Sequence, residues 1–144
     1  MKPNPILAAL VAVVLPSALL FAPEDTHDAK AAHANLYPPA DIQWKDGPAS
    51  LPRGAKIAVL EGDPTKEGMF LMRARLPDGY HIPAHTHPDA NEWAYVLSGE
   101  WEESNITYTS GALFFAPKGV RHGPHVARTE VISLTIFDRP LTVV

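Results

Sequence analysis

The sequence has no cysteine. That excludes disulfides, thiolate metal sites, iron–sulfur clusters and a cysteine nucleophile, and with them a lipid-modified N-terminal cysteine. It has no surplus of basic charge. Twelve Lys and Arg stand against 16 Asp and Glu, a formal charge of −4 at pH 7, which argues against a nucleic-acid partner, because such domains present a basic face. Long apolar runs are scarce too. The single one extends from Ile6 to Phe21 and falls short of the ~20 residues that span a bilayer. Beyond Asn35 no window holds a helical period. What the chain does have is 15 prolines, 9 glycines and 46% apolar residues in a length of 144. That is enough apolar surface for the core of one domain rich in turns.

The N-terminus reads differently from the rest. Lys2 followed by the apolar run gives the positive and hydrophobic regions of a secretory signal, and Pro16 suits the end of that run. Small-residue cleavage sites follow at Ala29-Lys30-Ala31 and Ala32-His33-Ala34. The second leaves Asn35 as the new N-terminus. An uncleaved anchor or tether is the alternative. No Arg pair precedes the run, so nothing supports the twin-arginine route. The expectation is a signal peptide over 1–34 and a periplasmic or secreted product, free of the membrane once the signal is removed. Residues 35–52, with Pro38, Pro39, Pro48 and Pro52, read as an extended arm lying over the domain of 53–144.

Within that domain, short β-rich runs fall near 42–45, 56–60, 69–76, 92–97, 100–103, 107–109, 113–116 and 130–137. Between them sit Asp46-Gly47-Pro48, Gly62-Asp63-Pro64, Pro77-Asp78-Gly79, Ser98-Gly99 and Pro117-Lys118-Gly119. Proline fixes φ and glycine supplies φ > 0, so these are turns with a mechanism. Short strands at this spacing predict an all-β sandwich or small barrel.

Five of the seven histidines lie between Gly79 and Val126. His85 and His87 are two apart, which on a strand turns both rings to one face, ~6.6 Å apart at the α-carbons. Pro88–Asn91 allows a turn that returns Glu92 beside them. His122 follows the Pro117–Gly119 turn. Three imidazoles and a carboxylate suit Mn, Fe, Co, Ni, Cu or Zn, and leave one or two coordination positions open. The same residues also have plainer uses: His85 and His87 as polar members of a half-exposed strand, Glu92 as a surface charge, His122 as a turn cap. His81 shares parity with His85, but Pro83 interrupts the strand. His125, three residues past His122, points to the opposite face of a regular strand. Both are therefore expected at the rim or surface. Small residues beside Glu92, namely Ala94 and Val96 facing Ala112, Phe114 and Ala116, predict a pocket there. Tyr80, Trp93, Tyr95, Trp101, Phe114 and Phe115 read as core or dimer-interface aromatics, and Arg73, Arg75 and Arg121 as solvated strand positions. Exposed edges and faces on so small a domain predict a homodimer.

Gly79, His85, His87, Glu92 and Gly99 reproduce G-x5-H-x-H-x4-E-x6-G without a gap. Gly111, Pro117, Gly119 and His122 reproduce most of G-x5-P-x-G-x2-H-x3-N, with Val126 in place of the final Asn. In these two motifs the chain resembles the cupin superfamily over about residues 40–140. Pro77-Asp78-Gly79-Tyr80 with Ile82-Pro83 is also similar to the small cupins fused to anti-sigma factors. The 11-residue spacer between Gly99 and Gly111 is short for cupins and implies a tight hairpin around Ser104-Asn105. The resemblance implies a small cupin-type β-barrel of jelly-roll form, with one divalent transition metal (Mn, Fe, Ni, Cu or Zn) held by His85, His87, Glu92 and His122. It leaves two functions open: a metal-dependent dioxygenase, isomerase or lyase acting on a small oxygen-bearing substrate, or a metal- or ligand-binding sensing module without turnover. A structural barrel that uses the metal only for stability fits the intact ligand set less well.

Overall fold

A computed structural model describes residues 34–144 of the chain. All but the last residue of the expected signal segment lies outside the described residues. From Leu36 to Val144 the chain forms one unit. After a short 3₁₀ turn, Pro39–Asp41, come ten strands: β1 (Lys45–Asp46), β2 (Lys56–Glu61), β3 (Phe70–Leu76), β4 (His81–Ile82), β5 (Glu92–Ser98), β6 (Trp101–Glu103), β7 (Ile106–Tyr108), β8 (Leu113–Ala116), β9 (His125–Ala127) and β10 (Val131–Phe137). Among the described residues no helix is long and apolar enough to cross a membrane.

The strands form two antiparallel sheets, ordered β1-β2-β3-β10-β5-β8 and β4-β9-β6-β7. The all-β class is as expected, but the expected closed barrel is not. The two sheets stay separate and make a sandwich of jelly-roll type. Strands of the smaller sheet are only two or three residues long, too short to carry pairing around a closed wall. The expected strand near 42–45 shrinks likewise, to Lys45–Asp46 alone.

Alternation sorts the larger sheet into two faces. On β5, Glu92, Ala94 and Val96 are buried while Tyr95 is exposed. On β10 the buried set is Val131, Ser133, Thr135 and Phe137. Register aligns these side chains in rows across the inner face. Phe70, Phe137, Glu92 and Ala116 form one row; Met72, Thr135, Ala94 and Phe114 form the next. One apolar cluster gathers Leu76, Tyr80, Ala94, Val96, Trp101 and Val131. The second holds Phe70, Met72, Ala90 and Phe137, with the Phe70 and Phe137 rings stacked at 5.0 Å.

Two turns carry the geometry between sheets. Ser104 and Asn105 both take positive φ, 51° and 63°, which makes the tight β6–β7 hairpin that the short spacer implies. At Gly99, φ is +88° and a Cβ would lie 2.1 Å from the Glu130 carbonyl oxygen. Only glycine lets β5 turn into β6 this close to the start of β10.

Candidate metal centre and its cavity

The fold brings His85, His87, Glu92 and His122 together, with one ligand atom from each lying within 4.8 Å of all the others. His85 and His122 face each other through a two-way backbone pair, at 3.0 Å in both directions. His87 accepts the Gly119 N–H on its carbonyl at 2.8 Å, so the Pro-Gly turn before His122 is locked to the His85–His87 segment. Glu92 opens β5. Glu92, His87 and His122 are buried and His85 is half-buried, so Glu92 is not a surface charge.

Each imidazole is held by its Nδ1. His85 Nδ1 donates to Pro83 O at 2.8 Å, His87 Nδ1 to Thr142 O at 2.9 Å and His122 Nδ1 to Val120 O at 3.0 Å. A carbonyl can only accept, so the proton of each neutral ring sits on Nδ1 and the lone pair on Nε2. The lone pairs of His87 and His122 point at a carboxylate. His87 Nε2 lies 3.2 Å and His122 Nε2 3.4 Å from Glu92 Oε2, and His122 Nε2 is buried with no hydrogen-bond partner. Facing acceptors of this kind need a proton or a cation between them. Burial works to raise the Glu92 carboxyl, but His122 and His87 beside it pull it down to about 2. Burial lowers His85, whereas at His122 the neighbouring Glu92 overrides burial and raises the ring. Fixed tautomers, converging Nε2 atoms and an ionised carboxylate fit a divalent transition metal.

Beside the centre lies a cavity of about 60 Å³ that His85, His87 and Glu92 help to line. Its walls differ from those expected. Ala94 and Val96 are fully buried within the apolar cluster instead, because Phe114 and Trp101 pack beside them. The cavity opens on the other side, against Met72, Ala74, Ser133 and Thr135, with Pro48, Ser50 and Leu51 at its N-terminal side and Leu141 and Val143 at its C-terminal side.

His125 also departs from expectation. It is buried and lines the cavity rather than the rim. Gly123, at φ +80°, breaks the strand between His122 and β9, so the parity count across those residues fails. Burial pushes the His125 ring down to about 4, which keeps it neutral, edge-on to Trp101 at 4.8 Å and to Phe114 at 5.3 Å. His81 is exposed, as expected. Tyr80 and Trp101 are core residues, and Trp93 stacks on the half-exposed Phe115 at 5.2 Å. Arg75 pairs with Glu130 at 2.8 Å, Arg73 lies over the Trp44 ring and Arg121 is exposed; none of the three reaches the cavity. Sequence reasoning missed Ser133, Thr135 and the Thr142 carbonyl. For the first two a signal existed: hydroxyl residues occupy alternate positions of an otherwise apolar strand.

A family model described as the ChrR cupin-like domain matches residues 32–142. No curated protein shows significant sequence similarity. Solved structures share the fold at low identity. KdgF from a Halomonas species is 16% identical with a TM-score of 0.59, covering 76% of this chain and 96% of that one. An acetylacetone dioxygenase from Acinetobacter johnsonii is 17% identical with a TM-score of 0.60, covering 74% of each. The complex of Rhodobacter sphaeroides SigE with the anti-sigma ChrR is 24% identical with a TM-score of 0.54, covering 68% of this chain and 50% of that one.

Proposed function

We propose, from the premise that this chain belongs to the ChrR cupin-like domain family, that it is a metal-binding cupin whose cavity takes a small oxygen-bearing molecule. His85, His87, Glu92 and His122 hold one divalent transition metal, of the group Mn, Fe, Ni, Cu or Zn. One observation carries this most directly. Three buried or half-buried imidazoles have their Nδ1 protons committed to carbonyls; the Nε2 atoms of His87 and His122 lie against Glu92, and a ligand atom of His85 lies within 4.8 Å of one from each of the other three residues. When bound, the metal supplies a Lewis acid with open positions, the requirement shared by dioxygenase, isomerase and lyase chemistry. The chain's own part is to orient the imidazoles, to keep bulk water from the centre with Met72, Leu141 and Val143, and to leave space for the ligand.

Metal analysis tests the site. Protein loaded with one equivalent of Co, Ni, Cu or Zn should hold it through dialysis, and the double variant His85→Ala/His87→Ala should not. Full metal content in that variant refutes the assignment. Glu92→Gln should weaken binding less than loss of a histidine, because the amide oxygen still coordinates without its charge. Turnover is then read with an oxygen electrode and a panel of diketones, catechols and enediols. A metal-loaded protein that binds such compounds without consuming them is the sensing module instead. Similarity to the fold of an anti-sigma protein supports that second function.

Two further proposals follow from the sequence. Export removes residues 1–34, placing the mature protein in the periplasm or outside the cell; N-terminal sequencing from the native host should find a start between Ala32 and Asn35, and a soluble cytosolic chain starting at Met1 refutes it. The mature domain pairs with a second copy. Support comes from the outer face of the larger sheet, where Tyr95, Leu113 and Phe115 are 41%, 60% and 49% exposed.

A further inference from the structure

Ser133 and Thr135 are the polar residues on the inner face of β10, and both are almost wholly buried, at 1% and 2% exposure. Both line the cavity. Their hydroxyl oxygens lie 3.3 Å apart, and this is the only hydrogen bond that either hydroxyl makes among the described residues. Each hydroxyl carries one proton. The bond between them uses one proton, so the other has no acceptor among the described residues. A buried donor left unmet costs about 1–3 kcal/mol, and the space it faces is the cavity.

Register places this donor relative to the metal centre. Phe137 pairs with Glu92 and Thr135 with Ala94, so Thr135 lies on the diagonal from Glu92, ~7–8 Å away at the α-carbons. Glu92, Ser133 and Thr135 line the same cavity, so one small molecule there can touch both the carboxylate end and the hydroxyl pair. Charge narrows the choice. Among the described residues no Lys or Arg lines the cavity. With the metal's charge balanced by Glu92 and a chelating anion, a carboxylate or phosphate at the Thr135 end would be buried with a single neutral donor, at a cost of several kcal/mol. An uncharged hydroxyl or carbonyl oxygen meets the donor without that cost.

We propose that the Ser133–Thr135 hydroxyl pair is a ligand-binding element that donates one hydrogen bond to an uncharged oxygen of the cavity's occupant. It selects a small ligand carrying that oxygen in addition to the atoms that reach the metal. This rests on the metal site proposed above.

Two hydroxamates test it, since both present the same strong chelating unit: acetohydroxamate, and glycolohydroxamate, which adds one hydroxyl. Affinities are measured by calorimetry and by the visible spectrum of the Co(II)-loaded protein. Glycolohydroxamate should bind roughly tenfold more tightly. In Ser133→Ala/Thr135→Val the gap should close to within about twofold, with cobalt content unchanged. If the double variant does not fold, Thr135→Val alone should narrow the gap, and Thr135→Ser should restore it. Equal affinity of the two compounds for the native protein, or a gap that survives loss of both hydroxyls, overturns the inference while the metal site stands. If neither compound binds in a cobalt-dependent way, the metal site itself fails and this inference falls with it.

Discussion

Ending the chain at Leu141 would show how the metal centre is held. His85 and His122 direct their Nδ1 protons to carbonyls two residues back, Pro83 O and Val120 O. Those acceptors cannot be removed without rebuilding the loops. His87 is different, because its acceptor, Thr142 O, lies 55 residues away along the chain. The segment that carries it is fastened by a two-way backbone pair: Thr86 N to Val144 O at 2.9 Å and Val144 N to Thr86 O at 3.1 Å. Deleting residues 142–144 therefore frees the His87 ring, removes the Thr86 pairing and the Val143 wall, and leaves the Nδ1 acceptors of His85 and His122 in place. Loss of such an outer partner costs about 10–100-fold in metal affinity. We expect a drop of that size in competition with a chelator. The metal-free protein should lose little stability, because two backbone bonds at a chain end contribute about 0.5–1.5 kcal/mol each. Thr142→Ala is the control. The acceptor is main chain, so affinity should stay as it was. An unchanged affinity in the truncated chain refutes the role of Thr142 O, and so does a Thr142→Ala variant as weak as the truncation.

Two motif glycines should differ in cost. Gly79 at φ +74° has nothing within 4 Å of a built Cβ, so Gly79→Ala should lose about 1–2 kcal/mol of stability for its left-handed backbone. Gly99→Ala also drives a Cβ into the Glu130 carbonyl and should lose roughly 3–5 kcal/mol in urea unfolding; equal losses would refute the distinction. Ala94→Phe, at a position with 0% exposure, should cost about 1–3 kcal/mol by overpacking, seen as a lower urea midpoint. A variant as stable as the native protein, with hydroxamate binding abolished, would put the cavity back at Ala94. Light scattering at ~100 μM, well above usual homodimer affinities, should find a dimer. Leu113→Lys/Phe115→Ser on the outer face should give a monomer, and a native monomer rules the pairing out.

The grouping of His85, His87, Glu92 and His122 was legible because each member depends on short-range geometry. His85 and His87 share a face by parity, Glu92 returns after a four-residue turn, and His122 follows a Pro-Gly turn. The split of β5 into a buried and an exposed face was legible for the same reason, whereas the hairpin at Ser104-Asn105 followed from the short spacer between the two motifs. His125 was not. Its inward aim depends on one positive φ at Gly123, and a parity count assumes that every residue between is extended. Closure was not legible either, since β-rich composition predicts strands but not whether two- and three-residue strands can link two sheets.

The cavity's place shows why side-chain size along one strand predicts a void poorly. Ala94 is small, but its row runs Met72, Thr135, Ala94, Phe114, and Phe114 with Trp101 fills the space that the alanine leaves. Packing density is a property of the row and of the opposite sheet together. One row further on stand Ala74, Ser133 and Val96. On the β3 side of Thr135 and Ser133 the small side chains are neighbours, and there the space stays open. The last strand, β10, is responsible, because it lies between β3 and β5 at the centre of the sheet. No local pattern could announce that residue 135 would stand beside residue 94. Only the long return of the chain brings the two hydroxyls to the cavity beside the His85, His87, Glu92 and His122 cluster.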